Sequence, residues 1–193
     1  AAMWSRALKM ASDSVIIESA TPEVLDEVWA IEQACFSAPW TRKMLAAELS
    51  GNQFAHFLIA KCSDLQSGAC VVAGYFCYWI VFEELRLMNL AVLAPFRRRG
   101  VATKLVCAAL RAGVERGASR AMLEVRASNQ EARNLYQQLG FRQTATRARY
   151  YVNPEEDAVL MDMAPLEVSA LCGPAGEAPL REAGNTTVIH ERM

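Results

Sequence analysis

Across Leu90-Ala91-Val92-Leu93-Ala94-Pro95-Phe96-Arg97-Arg98-Arg99-Gly100-Val101-Ala102-Thr103 the pattern of this chain changes from strand to helix. The extended run Leu85 to Leu93 is closed by Pro95. From Val101 onward the apolar residues Val101, Leu105, Val106, Ala109, Leu110 and Val114 share one helical face, which Gly117 ends. Between the two lies a basic turn of small residues. The first amides of a helix lack intrahelical partners and sit at the positive end of its dipole, so successive N–H groups there can hold a pyrophosphate. Gly100 and Ala102 matter because larger side chains would keep such an anion from the backbone. Taken alone, the turn is equally a basic loop before a small-residue helix start. It is not a Walker loop, since no Gly-Lys-Ser/Thr follows, nor a dinucleotide fingerprint.

Upstream, Val15 to Ser19 predicts a first strand, and Thr21-Pro22 supply a cap and a first-turn proline for a helix with the apolar face Val24, Leu25, Val28, Trp29, Ile31 and Cys35. Thr41 can cap a second helix, Arg42 to Leu49. Phe54 to Lys61 and Val71 to Phe82 are β-rich runs joined by a polar hairpin connection. Downstream, Ala121 to Val125 is a strand, Gln130 to Leu139 a helix stopped by Gly140, and Phe141 to Thr146 and Ala158 to Met163 are two final strands. The order β-α-α-β-β-β-α-β-α-β-β predicts an α/β (α+β) domain, a mixed sheet with helices on both faces. That domain spans residues 14–164, after an N-terminal extension, 1–13, and before a flexible tail, 165–193. Asn185-Thr186-Thr187 matches a glycosylation sequon, inert without a secretory signal.

A chain of 193 residues, 53% hydrophobic and 21% charged, has material for one packed domain. Its formal charge of -1 gives no global pull toward nucleic acid or anionic membrane. Six cysteines without a Cys-x-x-Cys pair, and only two histidines, support neither a zinc finger nor a disulfide framework, so all six are expected to be unpaired small hydrophobes and no metal is implied. No apolar run approaches the ~20 residues of a membrane span. A reducing cytoplasm is the expected setting.

Leu123-Glu124-Val125-Arg126-Ala127-Ser128-Asn129 puts a carboxylate at a strand's end and an asparagine at a helix cap, and Asn129, Ala132 and Tyr136 then share one helical face. Separately, these are an ordinary salt-bridged carboxylate, an N-cap and a half-buried core aromatic. Together, Arg97-x-x-Gly100-x-Ala102, Asn129-x-x-Ala132-x-x-Leu135-Tyr136 and Leu139-Gly140-Phe141 resemble the GCN5-related N-acetyltransferase (GNAT) superfamily in order and spacing. Leu123 to Asn129, with Ala38-Pro39-Trp40 early and Arg149-Tyr150-Tyr151 late, is similar to its bacterial RimI type, which acetylates the N-terminal alanine of a small-subunit ribosomal protein.

The resemblance covers about Val15 to Ala164 and implies a mostly antiparallel central sheet, acetyl-CoA as co-substrate and a protein N-terminus, from a ribosomal protein, as acceptor. By the family pattern Glu124 is the general base and Tyr136 the general acid. Leu90, Ala91 and Val92 would pair with the pantetheine arm, and the backbone amides of Arg98, Arg99, Gly100, Val101, Ala102 and Thr103 would take the pyrophosphate. Asn129 would hydrogen-bond the cofactor, while Trp40, Tyr150 and Tyr151 would line the peptide groove. The superfamily's frequent alternative base, a glutamate inside the strand before the loop, is missing, for Leu87-Met88-Asn89 stands there. Other acceptors, such as different N-termini, lysine or a small amine, keep the same fold, and a non-catalytic CoA-binding module is the alternative of another class. Three consecutive arginines are too few for direct nucleic-acid binding.

Overall fold

Seven segments lack a helical period, are rich in β-branched, aromatic and aliphatic residues, and form one sheet. The computed structural model describes residues 15–63 and 68–173. Its elements are β1 (Ile16–Ser19), α1 (Leu25–Cys35), α2 (Arg42–Ser50), β2 (Ala55–Ser63), β3 (Cys70–Val81), β4 (Glu84–Val92), α3 (Val101–Glu115), β5 (Arg120–Arg126), α4 (Gln130–Gln138), β6 (Arg142–Val152) and β7 (Glu155–Met163). The sheet order is β1-β2-β3-β4-β5-β7-β6. All neighbours are antiparallel except β4 and β5, which pair in parallel from Glu84↔Arg120 to Leu87↔Leu123. This is the mixed sheet that the order of elements predicts, and it is mostly antiparallel, as the family resemblance implies.

Two cores cover the two faces. On one, Val28 and Ile31 of α1 and Leu45 of α2 pack over Phe57, Ile59, Tyr75, Cys77 and Ala91. On the other, α3 buries Leu105, Val106, Ala109 and Leu110, and Tyr136 and Leu139 join the same core. Thr41 caps α2 through its hydroxyl, which accepts from Met44 N–H at 3.2 Å. Pro22 opens a short 3-10 turn, Pro22–Val24, rather than α1 itself, and Thr21 makes no side-chain cap there.

A bulge in β4 organises the centre of the sheet. Tyr78 pairs with Leu87 and Cys77 with Asn89, leaving Met88 as the extra residue. One inserted residue reverses which face each later side chain meets. Leu85 and Leu87 therefore lie in the α3 core, whereas Ala91 lies under α1 and α2. Past the bulge β4 stays tight against β3: a Cβ on Gly74 would meet the Ala91 carbonyl at 2.6 Å.

Three expectations are corrected. The penultimate strand runs through Val152 rather than ending at Thr146, so Tyr150 and Tyr151 belong to β6; its register breaks between Arg147 and Tyr151, where Arg149 has φ 51, and that irregularity hid the strand pattern. The cysteines are not all unpaired, for Cys107 of α3 is disulfide-bonded to Cys172, while Cys35, Cys62, Cys70 and Cys77 are free. The spacing of 65 residues carries no local signature, so only the fold brings the pair together. Finally, order continues past Pro165: Leu166 is buried in the α3 core, Ala170–Cys172 form a 3-10 turn, and Arg111 donates to the carbonyls of Cys172 and Gly173. The N-terminal extension, most of the expected tail and the sequon lie outside the described residues. Among the described residues, no helix is long and apolar enough to cross a membrane.

Candidate active site

The last residues that β4 and β5 share are Leu87 and Leu123. Beyond them the two parallel strands part: Leu90, Ala91 and Val92 continue on β3, while Glu124, Val125 and Arg126 continue on β7. The sheet therefore opens as a fork with strand backbone along each prong, and Glu124 is the first residue beyond its closed end. The far end of the paired stretch, where Glu84 stands opposite Arg120, is clamped by buried Glu84, which accepts from Arg86 Nε and from Arg120 Nη2 at 2.6 Å.

Glu124 is exposed but already engaged. Arg147 of β6 pairs with it at 3.0 Å, and the Tyr150 hydroxyl hydrogen-bonds to it. That hydrogen bond, followed by desolvation, holds the Tyr150 phenol above its ordinary range. Tyr151 is also raised, by burial and then by the Glu124 charge. The two rings meet edge to face at 5.2 Å, with the Arg147 guanidinium 4.8 Å over Tyr150 and that of Arg126 4.1 Å over Tyr151. Tyr136, in the last turn of α4, is buried with its ring edge-on to Phe141 at 5.7 Å. Burial, and then its neighbour Tyr151, push the Tyr136 phenol far above its ordinary range, so it keeps its proton. Glu124, Tyr136, Tyr150 and Tyr151 are thus one electrostatically linked cluster at the fork.

At the mouth of the fork α3 begins on Gly100, with φ 78 and ψ 4 and no side-chain cap. The left-handed conformation favours glycine, and a Cβ there would meet nothing within 4 Å, so the space before the helix is open. The amides of Val101, Ala102 and Thr103 start the helix, while Lys104 N–H already bonds Gly100 C=O at 3.0 Å. Arg98, in the same turn, has φ 61. On the β4 prong, the Val92 carbonyl accepts from Arg97 Nε at 2.9 Å and from the Cys35 thiol at 3.5 Å. Arg97 thus ties the turn to the strand end. Asn129 uses Oδ1 to cap α4, accepting from Ala132 N–H at 3.1 Å, which leaves its amide N–H groups for any ligand.

Trp40 lies apart from the tyrosines, on the α1 side, where its backbone N–H donates to Glu32 at 2.7 Å. Glu32 was not expected among the functional residues, yet it is 1% exposed and also accepts from Tyr75 and Asn89. A signal was present: Val28, Ile31, Glu32 and Cys35 form one i, i+3, i+4, i+7 stripe, so Glu32 is a carboxylate on an otherwise apolar face. Arg147 gave no such signal, because only the register of the last hairpin carries it to Glu124.

The chain and its fold have relatives among known proteins. The model of the acetyltransferase (GNAT) family matches residues 25–141. A ribosomal protein bS18-alanine N-acetyltransferase of Haemophilus ducreyi is 34% identical over 149 residues, covering 76% of this chain and 97% of that protein. The crystal structure of the ribosomal-protein-S18-alanine N-acetyltransferase from Escherichia coli superposes with a TM-score of 0.69 at 26% identity, over 81% of this chain and 97% of the other. The fold is also that of Arabidopsis thaliana NAA60 in complex with acetyl-CoA, with a TM-score of 0.70 at 16% identity, over 78% and 98% of the two chains.

Proposed function

The chain belongs to the acetyltransferase (GNAT) family, and from that footing we propose that it transfers the acetyl group of acetyl-CoA to the α-amine of a protein N-terminus beginning with alanine, in the manner of its ribosomal-protein-modifying relatives. The observation that carries this is the position of Glu124, the first residue past the point where β4 and β5 part. The open strand edge and the uncapped helix start fit the co-substrate. The Leu90 to Val92 edge takes the pantetheine arm, the amides from Arg98 to Thr103 take the pyrophosphate, and the Asn129 amide adds a hydrogen bond. Acetyl-CoA supplies an activated acetyl thioester held in the fork.

An α-ammonium has an ordinary pKa of ~8 and must lose a proton before its lone pair can attack. Glu124 accepts that proton at a carboxylate oxygen, directly or through water. Tyr136, kept protonated by burial, holds a hydroxyl hydrogen for the departing sulfur. Tyr150 and Tyr151 wall the acceptor side of β6, and Trp40 approaches from the segment before α2. A ribosomal-protein acceptor places the reaction in the cytoplasm, with no direct contact to nucleic acid or membrane.

The test is a competition between an alanine-starting peptide and the same peptide with its α-amine blocked and a lysine inside, followed by mass spectrometry. Acetylation of the free α-amine at least tenfold faster is expected. Equal rates would replace the N-terminal acceptor with lysine, and cofactor binding without turnover would leave a CoA-binding module. Glu124→Gln should retain acetyl-CoA affinity and lose ~10²–10⁴-fold in rate, the usual effect of removing a general base.

A further inference from the structure

Glu32 is a buried carboxylate held entirely by neutral donors. Its Oε1 accepts from Trp40 N–H at 2.7 Å, its Oε2 accepts from the Tyr75 hydroxyl, and Asn89 Nδ2 lies 3.3 and 3.1 Å from its two oxygens. Asn89 also donates to the Tyr75 oxygen at 2.9 Å, closing the network. Burial, then the bond to Glu32, drives the Tyr75 phenol far above its ordinary range, so the hydroxyl remains a donor. Placing a carboxylate where it is 1% exposed is costly without such partners. A stability role alone would be met more cheaply by another aliphatic residue on the α1 stripe.

What the network joins points elsewhere. Trp40 stands in the segment between α1 and α2. Asn89 is the first residue after the Met88 bulge, one residue before the Leu90 to Val92 edge, and it faces Glu32 only because the bulge reverses the strand's phase. Glu32 is therefore a strut between the two parts of the chain that border the fork on the α1 side: the Trp40 segment and the prong that would carry the thioester. The site where a base-bearing strand residue is absent, Leu87-Met88-Asn89, is braced by a carboxylate from a helix 57 residues away in sequence.

We propose that Glu32 is a positioning residue for the acceptor: through Trp40 N–H on one side and Asn89 and Tyr75 on the other, it fixes the spacing between the acceptor wall and the β4 edge. This rests on the N-terminal acetyltransferase reading. Its signature is a split in kinetics, because among the described residues no hydrogen bond joins the network to the helix start that would hold the pyrophosphate. Glu32→Gln keeps the side chain's shape and one acceptor oxygen, while Tyr75→Phe removes one donor and leaves the carboxylate; either tests the strut if Glu32→Ala does not fold.

The experiment is steady-state kinetics with an alanine-starting peptide, alongside acetyl-CoA affinity by calorimetry, on folded wild type, Glu32→Gln and Tyr75→Phe. The expected result is a peptide KM raised about tenfold in both variants, with acetyl-CoA affinity within twofold of wild type. A fall in melting temperature with an unchanged peptide KM would reduce Glu32 to a structural part of the core and overturn the proposal. So would equal losses toward peptide and acetyl-CoA. Wild type that binds acetyl-CoA but acetylates no N-terminus would refute the acceptor reading itself, and the strut with it.

Discussion

Replacing Gly100 by glutamate separates the cost of a side chain from the cost of a charge. At φ 78 any L-residue is strained, by roughly 1–2 kcal/mol. A Cβ there meets nothing within 4 Å, so no clash is added. A carboxylate at a helix N-terminus recovers about 0.3–1 kcal/mol from the dipole. The net loss of stability should therefore stay below about 2 kcal/mol, or a fall in melting temperature of roughly 8 °C at most for a chain of this size. Against a pyrophosphate seated on the same amides the balance is different. One carboxylate charge about 6 Å from one phosphate charge is repelled by roughly 3 kcal/mol at the effective dielectric of a protein surface, and solvent exposure brings this nearer 1.5. Acetyl-CoA should thus bind ~10–150-fold more weakly to Gly100→Glu. Gly100→Ala, with the strain but not the charge, should lose only a few-fold. Calorimetry with acetyl-CoA and with acetyl-pantetheine, which lacks the pyrophosphate, makes the comparison sharp, since acetyl-pantetheine should not distinguish the glutamate from the alanine variant. Unchanged acetyl-CoA affinity in folded Gly100→Glu, or equal losses for the two ligands, would refute the assignment of the helix start to the pyrophosphate.

Other outcomes follow from the same structure. Cys172→Ser opens a crosslink that spans 65 residues and should cost about 2–4 kcal/mol; reductant should lower the melting temperature of wild type and leave that of the variant unmoved. Glu84→Gln removes the charge between Arg86 and Arg120 at the end of the β4–β5 pairing away from the fork and should lower the urea midpoint by the equivalent of ~1–2 kcal/mol, toward the low end because both guanidinium groups are about half exposed, with peptide KM unchanged. Alkaline stability should fall early: Tyr75, Tyr136 and Tyr78, the last pushed up to about 12, are all raised by burial, so the folded state binds more protons than the unfolded chain above about pH 10. Their contribution is complete below that pH and is lost as pH rises toward the folded values, by up to ~1.4 kcal/mol per pH unit for each group; denaturant midpoints flat from pH 8 to 11 would contradict it.

The elements that the sequence announces are those with uninterrupted patterns. Helix α3 has a clean apolar stripe and a glycine at each end, and β3 and β4 are long apolar runs, so their places were predictable within a residue or two. Strand β6 was shortened by its own geometry, because the irregularity between Arg147 and Tyr151 breaks the alternation that would have extended it. Long-range pairings were invisible for a different reason. Nothing local to Cys107 or Cys172 distinguishes a bridged cysteine from a small buried one, and nothing near Arg147 names Glu124 as its partner. Glu32 lies between these cases, since its helical stripe showed that it would be buried but not what would receive it. The motif residues Gly100, Glu124, Asn129 and Tyr136 were legible as a set, while the spacing that makes them a candidate site comes from the register of four strands.

The ion pair of Glu124 and Arg147 bears on which amine the fork accepts. At pH 7 an α-amine of pKa ~7.7–8.0 is neutral in roughly a tenth of molecules, whereas a lysine of pKa ~10.4 is neutral in fewer than one in a thousand. The difference of about 2.5 pH units corresponds to ~3.4 kcal/mol in the supply of the reactive form. Glu124 has a cationic neighbour: Arg147 stands 3.0 Å from one oxygen, and Tyr150 hydrogen-bonds to the carboxylate. The guanidinium is half exposed, so its field is screened, but its sign still repels an arriving ammonium more than a neutral amine. Both effects favour the amine that needs less help. On the proposed reading, the larger neutral fraction of an α-amine and the guanidinium beside Glu124 together favour a chain end over a lysine side chain as acceptor.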